Sequence, residues 1–327
     1  MRLNHSLHLV TMRHHQRGVN LIEIMVAMAI GLFLVLGATT LYVNTKKTSD
    51  VDDSIARLQE TARYAMSVIE TDVRMANYWG FKKDGADFEN KDTNLNLPVG
   101  TNAGALGASG SANYCGAAYA TRTENYVEGS NNSYGLPSAC PANSTAVTTS
   151  DTLTVRRAST TSATASATQL QICSTRKTST IVKSATATCT GGELRNLITN
   201  GYYIDQGSQQ SATLPSLRRK TLSAGPAFID TEIIPGVEDM QIEFGWDNSS
   251  TDAAGVVQYL QPTAAAIASG RIVSVRVWLL IRAEQPDFAF TDNRTYTYGD
   301  RPAYTPGDNF RRLLVSRTFF IRNVTGT

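Results

Sequence analysis

The sequence predicts an α+β protein, with one long N-terminal helix followed by a strand-rich region. Three observations carry that expectation. Residues 19–43 are an apolar run whose only charge is Glu23 and whose only amide is Asn20. In residues 44–78, Val51, Ile55, Leu58, Ala62, Ala65, Ile69, Val73 and Ala76 recur at spacings of three and four, which is one face of a helix. In the C-terminal half, short segments alternate apolar and polar residues with period two.

The first run is long enough to cross a bilayer core of about 30 Å at about 1.5 Å per residue. Neither Pro nor Gly occurs between Gly37 and Gly80. The helix is therefore expected to continue to about residue 78, on the order of 90 Å in all. Gly31 and Gly37 are its weak points. Asp53–Arg57 and Glu70–Arg74 form i,i+4 pairs of favourable orientation.

Strands are expected over 151–157, near Tyr202, Tyr203 and Ile204, and over 241–246, 272–282 and 313–322. In the 272–282 segment Val273, Val275, Val277, Leu279 and Ile281 share one face, and Ser274, Arg276, Trp278 and Arg282 the other. No helical crossover separates the C-terminal strands, so antiparallel pairing is expected. Low-complexity stretches at 99–113 and 158–170 read as solvated loops. The chain thus divides into a leader, 1–18, an apolar helix half, 19–43, an amphipathic half, 44–79, and a β-rich head, 80–327.

Composition excludes several functions. The 327 residues carry a net charge of only +2, which gives no electrostatic case for nucleic-acid binding. The four histidines are His5, His8, His14 and His15, all inside the leader. Without that segment no histidine remains for Ser-His-Asp or Cys-His chemistry or for a His-rich metal site. No enzyme, metal or cofactor is expected. The acidic stretch 247–252 lacks the glycine and distal glutamate of a calcium loop.

Cys115, Cys140, Cys173 and Cys189 all lie beyond the apolar run, an even count that fits an oxidising compartment. Of the three possible pairings, Cys115–Cys140 and Cys173–Cys189 are favoured, because each closes one loop-rich excursion. No C-x-x-C spacing points to zinc or redox chemistry.

The N-terminus is not an ordinary secretory signal. Arg2, Arg13 and Arg17 precede an apolar run longer than the roughly 7–15 residues of a signal core, and Arg17-Gly18 lies before that run rather than after it. A carboxylate within an apolar span is costly, so Glu23 reads as the partner of a positive charge. Arg17-Gly18 followed by Val19, Asn20, Leu21, Ile22, Glu23 and the apolar run resembles the class III signal of type IV prepilins and type II secretion pseudopilins. The resemblance implies cleavage between Gly18 and Val19 by a prepilin peptidase, with methylation of the new N-terminus at Val19. Val19 stands where that family usually has Phe. It also implies that Glu23 is critical for assembly and that the fold is pilin-like.

Further segments are similar to PilW-type minor pilins. They are Gly201-Tyr202-Tyr203-Ile204, Leu217-Arg218-Arg219, residues 236–245, the 273–282 strand and Ile321-Arg322-Asn323. This likeness implies a subunit held in the inner membrane with a periplasmic head, which then joins other minor pilins and the major pilin at the pilus tip. It implies priming of assembly in support of twitching, adhesion or DNA uptake. A pseudopilin J of type II secretion is the nearest alternative. A tip adhesin or DNA receptor is the other, for which Tyr296, Tyr298, Arg301 and Tyr304 are the local hint.

Overall fold

The computed structural model describes Gly18, residues 20–82, Gly85 and residues 88–89, 116–137, 140–249 and 255–324. The chain forms two compact units, residues 1–53 and 54–327. Helix α1 spans Leu21–Met75. Its apolar opening is long enough to cross a membrane, and none of that window is buried within the protein. Hydroxyls in this stretch are satisfied locally: Thr39 donates to the Val35 carbonyl, and Thr40 to that of Leu36 at 2.6 Å.

In the second unit α1 buries Leu58, Ala62, Ala65, Met66, Ile69, Asp72 and Val73. The expected stripe therefore packs only from Leu58 onward, and Ile55 stays 40 % exposed. The helix also stops before residue 78. Asn77 takes a left-handed φ of 60°, a conformation asparagine tolerates at a helix C-terminus. Its side-chain oxygen accepts from the buried Trp79 indole at 2.6 Å.

Among the described residues the head holds two sheets. The larger, of eight strands, comprises β1 (Phe88–Glu89), β2 (Val127–Ser130), β3 (Thr152–Ala158), β4 (Gln171–Thr175), β5 (Ser179–Val182), β6 (Gly192–Asp205), β7 (Ser216–Leu222) and β8 (Phe228–Pro235). Strand β6 organises it: residues 192–196 pair with β4, 197–202 with β3 and 200–205 with β7. All pairs are antiparallel except the two-residue β1–β5 contact. A four-helix-residue segment, α2 (Ala117–Ala120), precedes β2.

The smaller sheet has the order β10-β9-β11-β12, with β9 Val237–Asp247, β10 Gln258–Leu260, β11 Arg271–Arg282 and β12 Arg312–Phe320. The chain changes sheets at Gly236, whose φ of 86° disfavours a side chain and whose N–H donates to the Pro215 carbonyl at 2.7 Å. A methyl group there would also stand 3.0 Å from the Arg282 carbonyl.

One core joins all three layers. Leu58, Ala65, Ile69 and Val73 of α1 meet Leu153, Tyr202 and Leu217 of the larger sheet and Met240, Ile242, Val275, Val277 and Phe319 of the smaller. The alternation read in 272–282 holds in part: Val275, Val277, Leu279 and Ile281 enter this core, but at the register shift between Ile272 and Ser274 it is Ile272 rather than Val273 that joins them, and Ser274 and Leu280 of the opposite face are buried as well. Residues 159–170 form a loop between β3 and β4. The 99–113 tract lies outside the described residues.

Candidate assembly site

At the helix N-terminus, Glu23 and Ile24 donate their N–H groups to the Asn20 carbonyl at 2.9 and 3.2 Å. Glu23 therefore occupies the first turn of α1, where the helix dipole favours an acid. Its side chain is exposed, as are Gly18 and the apolar side chains after it, among them Leu21, Phe33 and Leu36. Val19 lies outside the described residues. An exposed apolar helix carrying one acid at its start cannot rest in water. It needs hydrocarbon or other helices of the same kind.

The second part of the site is where α1 meets the head. Asp72 lies within the apolar stripe, three residues after Ile69, and is buried. Its Oδ1 accepts from Arg157 Nε at 3.2 Å and Nη2 at 2.9 Å. Its Oδ2 accepts from Asn200 Nδ2 at 2.6 Å and the Tyr202 hydroxyl at 2.5 Å. Strands β3 and β6 thus grip one helical residue with four donors. Burial, followed by the Asp72 charge, holds the Tyr202 phenol well above its ordinary range. Sequence reading missed Asp72, although an acid at a stripe position was the available signal. Glu70 lies nearby, pairing with Arg74 at 3.1 Å and with Arg317 of β12 at 2.9 Å.

The aromatic and basic residues of the β11–β12 connection are turned inward rather than out to a ligand. Tyr298 donates to Asp239 at 2.7 Å, Tyr296 to Asp292 at 2.8 Å and Tyr304 to Glu238 at 2.9 Å. Arg301 pairs with Asp239 at 2.6 Å and lies over the Tyr304 ring at 4.7 Å. Burial, then Glu238, pushes the Tyr304 phenol up to about 12. Glu238 and Asp239 are members of β9. Asp239 is fully buried, and Glu238 receives Arg312 Nε at 2.5 Å. Arg312 also binds Asp308 at 2.6 Å, which holds that carboxyl below its usual range.

Cys173 and Cys189 are joined in a disulfide with Cα atoms 5.4 Å apart. Cys140 is also disulfide-bonded, and Cys115 lies outside the described residues. Among the described residues, no group of three or more His, Cys, Asp or Glu side chains could hold a metal ion.

Comparison with known proteins places these features. Residues 13–39 match the prokaryotic N-terminal methylation motif, and residues 201–323 match the type IV pilus-assembly protein W family, PilW. No curated protein matches the chain. Among solved structures, a type IV-like pilin from Thermus thermophilus aligns at 16 % identity and a TM-score of 0.27, over 54 % of this chain and 79 % of that one. The helix is thus similar at its start to the methylation-motif segment of type IV pilins. The region from the end of β6 through β12 is similar to the PilW family.

Proposed function

We infer that this chain is a minor pilin that primes type IV pilus assembly within a complex at the filament tip. In this reading prepilin peptidase cleaves between Gly18 and Val19 and methylates Val19. The apolar half of α1 holds the subunit in the inner membrane with its head in the periplasm. The same helix face later packs among the helices of other minor pilins and the major pilin. Glu23 docks on the N-terminal amine of a neighbouring subunit, which relieves the cost of two unpaired charges near hydrocarbon. The protein works by assembly and carries out no catalysis.

The observation that carries this reading is the methylation motif over residues 13–39, attached to an exposed apolar helix with a single acid in its first turn. The internal bonding of Tyr296, Tyr298, Arg301 and Tyr304 gives no support to a ligand-binding adhesin built on those residues.

The test is deletion of the gene with surface pili counted, alongside N-terminal sequencing of the protein recovered from membranes. Loss of pili and a sequence beginning at Val19 are expected. Normal pili would overturn the priming role. An N-terminus beyond the apolar run would overturn the pilin processing.

A further inference from the structure

The Ile321-Arg322-Asn323 segment follows β12 and takes no part in the function proposed above. It meets the end of α1, where a helix leaves its last carbonyls without intrahelical donors. The chain just beyond α1 supplies two donors. Ala76 N–H donates to the Val73 carbonyl at 3.1 Å, and Tyr78 N–H to that of Met75 at 3.2 Å. The Arg74 and Ala76 carbonyls are served by the residues after β12. Arg322 N–H donates to Arg74 at 3.2 Å. Asn323 Nδ2 donates to Ala76 at 3.1 Å, across 247 positions of sequence. Asn77 Nδ2 returns a bond to the Asn323 carbonyl at 3.4 Å.

Ile321 roots the segment. Its side chain is buried in the main core, and its N–H donates to the Val273 carbonyl of β11 at 2.9 Å. Asn323 reaches the helix through its side-chain amide, and an aspartate of the same size could not donate there. From Asn77 the contacts run on to the larger sheet. Asn77 N–H donates to the Arg156 carbonyl of β3 at 3.3 Å, and Ala158 N–H of β3 to the Tyr78 carbonyl at 2.6 Å. The Asn77 side-chain oxygen holds the Trp79 indole, and the fully buried Trp79 ring meets Phe88 edge-on at 5.3 Å. The end of α1 is thus tied to the smaller sheet through residues 321–323 and to the larger through β3.

The side-chain bonds of this junction are only part-buried, and residues 321–323 lie outside every helix and strand. The body of α1 is held by other means. Leu58 to Val73 pack in the core, and Asp72 has its four donors from β3 and β6. Releasing the segment breaks a few hydrogen bonds, whereas unfolding the head exposes the whole core. An opening of so small a unit is local, with a free energy below that of global unfolding.

We propose that Ile321-Arg322-Asn323 is a clasp on the end of α1. Closed, it locks the last turn of the helix to both sheets. Open, it frees residues 74–79 while the body of α1 and the two sheets stay folded. Asn323 is the release point, and Ile321 stays rooted in the core. The junction between helix and head therefore has a rigid and a loose state. The clasp belongs to the head itself and does not depend on the priming role.

The test is amide hydrogen exchange of the full-length chain in detergent, read by mass spectrometry in fragments covering 74–79 and 321–324, with β11 as the reference. In the parent, exchange in these two fragments should stay nearly constant over low urea concentrations that speed exchange in β11. Asn323→Ala should raise exchange in both fragments about two- to tenfold and leave β11 and residues 58–72 as in the parent. Asn323→Asp, which cannot donate, should match it. A urea dependence equal to that of β11 would overturn the proposal, because the segment would then open only with the whole head. Unchanged exchange at 74–79 in either variant would overturn it as well. So would an equal acceleration in β11, which would make Asn323 a contributor to global stability alone.

Discussion

At the scale of single residues, the fold depends on buried acids whose partners come from far along the chain. Asp72 is the clearest. Alanine there would strand Arg157 beside an apolar core with no counter-charge, and removing one member of a buried pair costs about 3–5 kcal/mol. Asp72→Ala should therefore lower head stability by about that much in urea unfolding, while Asp72→Asn, which keeps one acceptor, should lose less. Asp151 acts through pH. Burial raises its carboxyl to about 7, against the N–H groups of Asn132 and Ile242 and assisted by Asp300 and Asp239. A raised carboxyl binds its proton more tightly folded than unfolded. Its contribution is thus full below about pH 4 and is lost as pH rises to about 7, by at most about 4 kcal/mol. Asp230, Asp292 and Asp308 have lowered values, and their contribution is lost in the opposite direction, as pH falls. Comparing urea stability at pH 5 and pH 8 for the parent and for Asp151→Asn isolates the first effect: the variant should lack the decline that Asp151 causes between those two values.

At the scale of elements, the second half of α1 is held by packing and the first half is not. Ile69 is fully buried in the main core. Ile69→Ala should lower stability by about 2–5 kcal/mol. Ile55→Ala, on the same expected stripe but 40 % exposed, should fall within about 0.5 kcal/mol of the parent. Thermal unfolding of the two variants side by side checks this. The helix and the strands around 237–247, 271–282 and 312–320 are legible in the sequence because their apolar periods are clean. Strands β7 and β8 are not, because Arg218 and Lys220 interrupt the alternation. Those side chains are nevertheless buried, since Asp230 and Glu232 stand beside them on β8 at 2.7–3.2 Å. A charge whose partner lies on another strand looks like a surface residue until the pairing is known.

At the scale of the whole molecule, a membrane-length helix and a two-sheet head serve different ends. Under the proposed docking of Glu23, Glu23→Gln should still be inserted, cleaved and folded, because its side chain is exposed and the core begins at Leu58. It should copurify fewer minor pilins than the parent at equal abundance, and undiminished copurification with normal piliation would remove the electrostatic role. The processing signal, the helix and the helix face that enters the core could all be read from the sequence alone, because each depends on residues close together in the chain. Only the tertiary structure decided that Asp72 anchors the helix and that the tyrosines of the β11–β12 connection are spent on internal acids. Apart from Tyr296 and Asp292, four positions apart, the groups concerned are brought together across 59 to 130 positions of sequence. Local periodicity carries no information about such pairings.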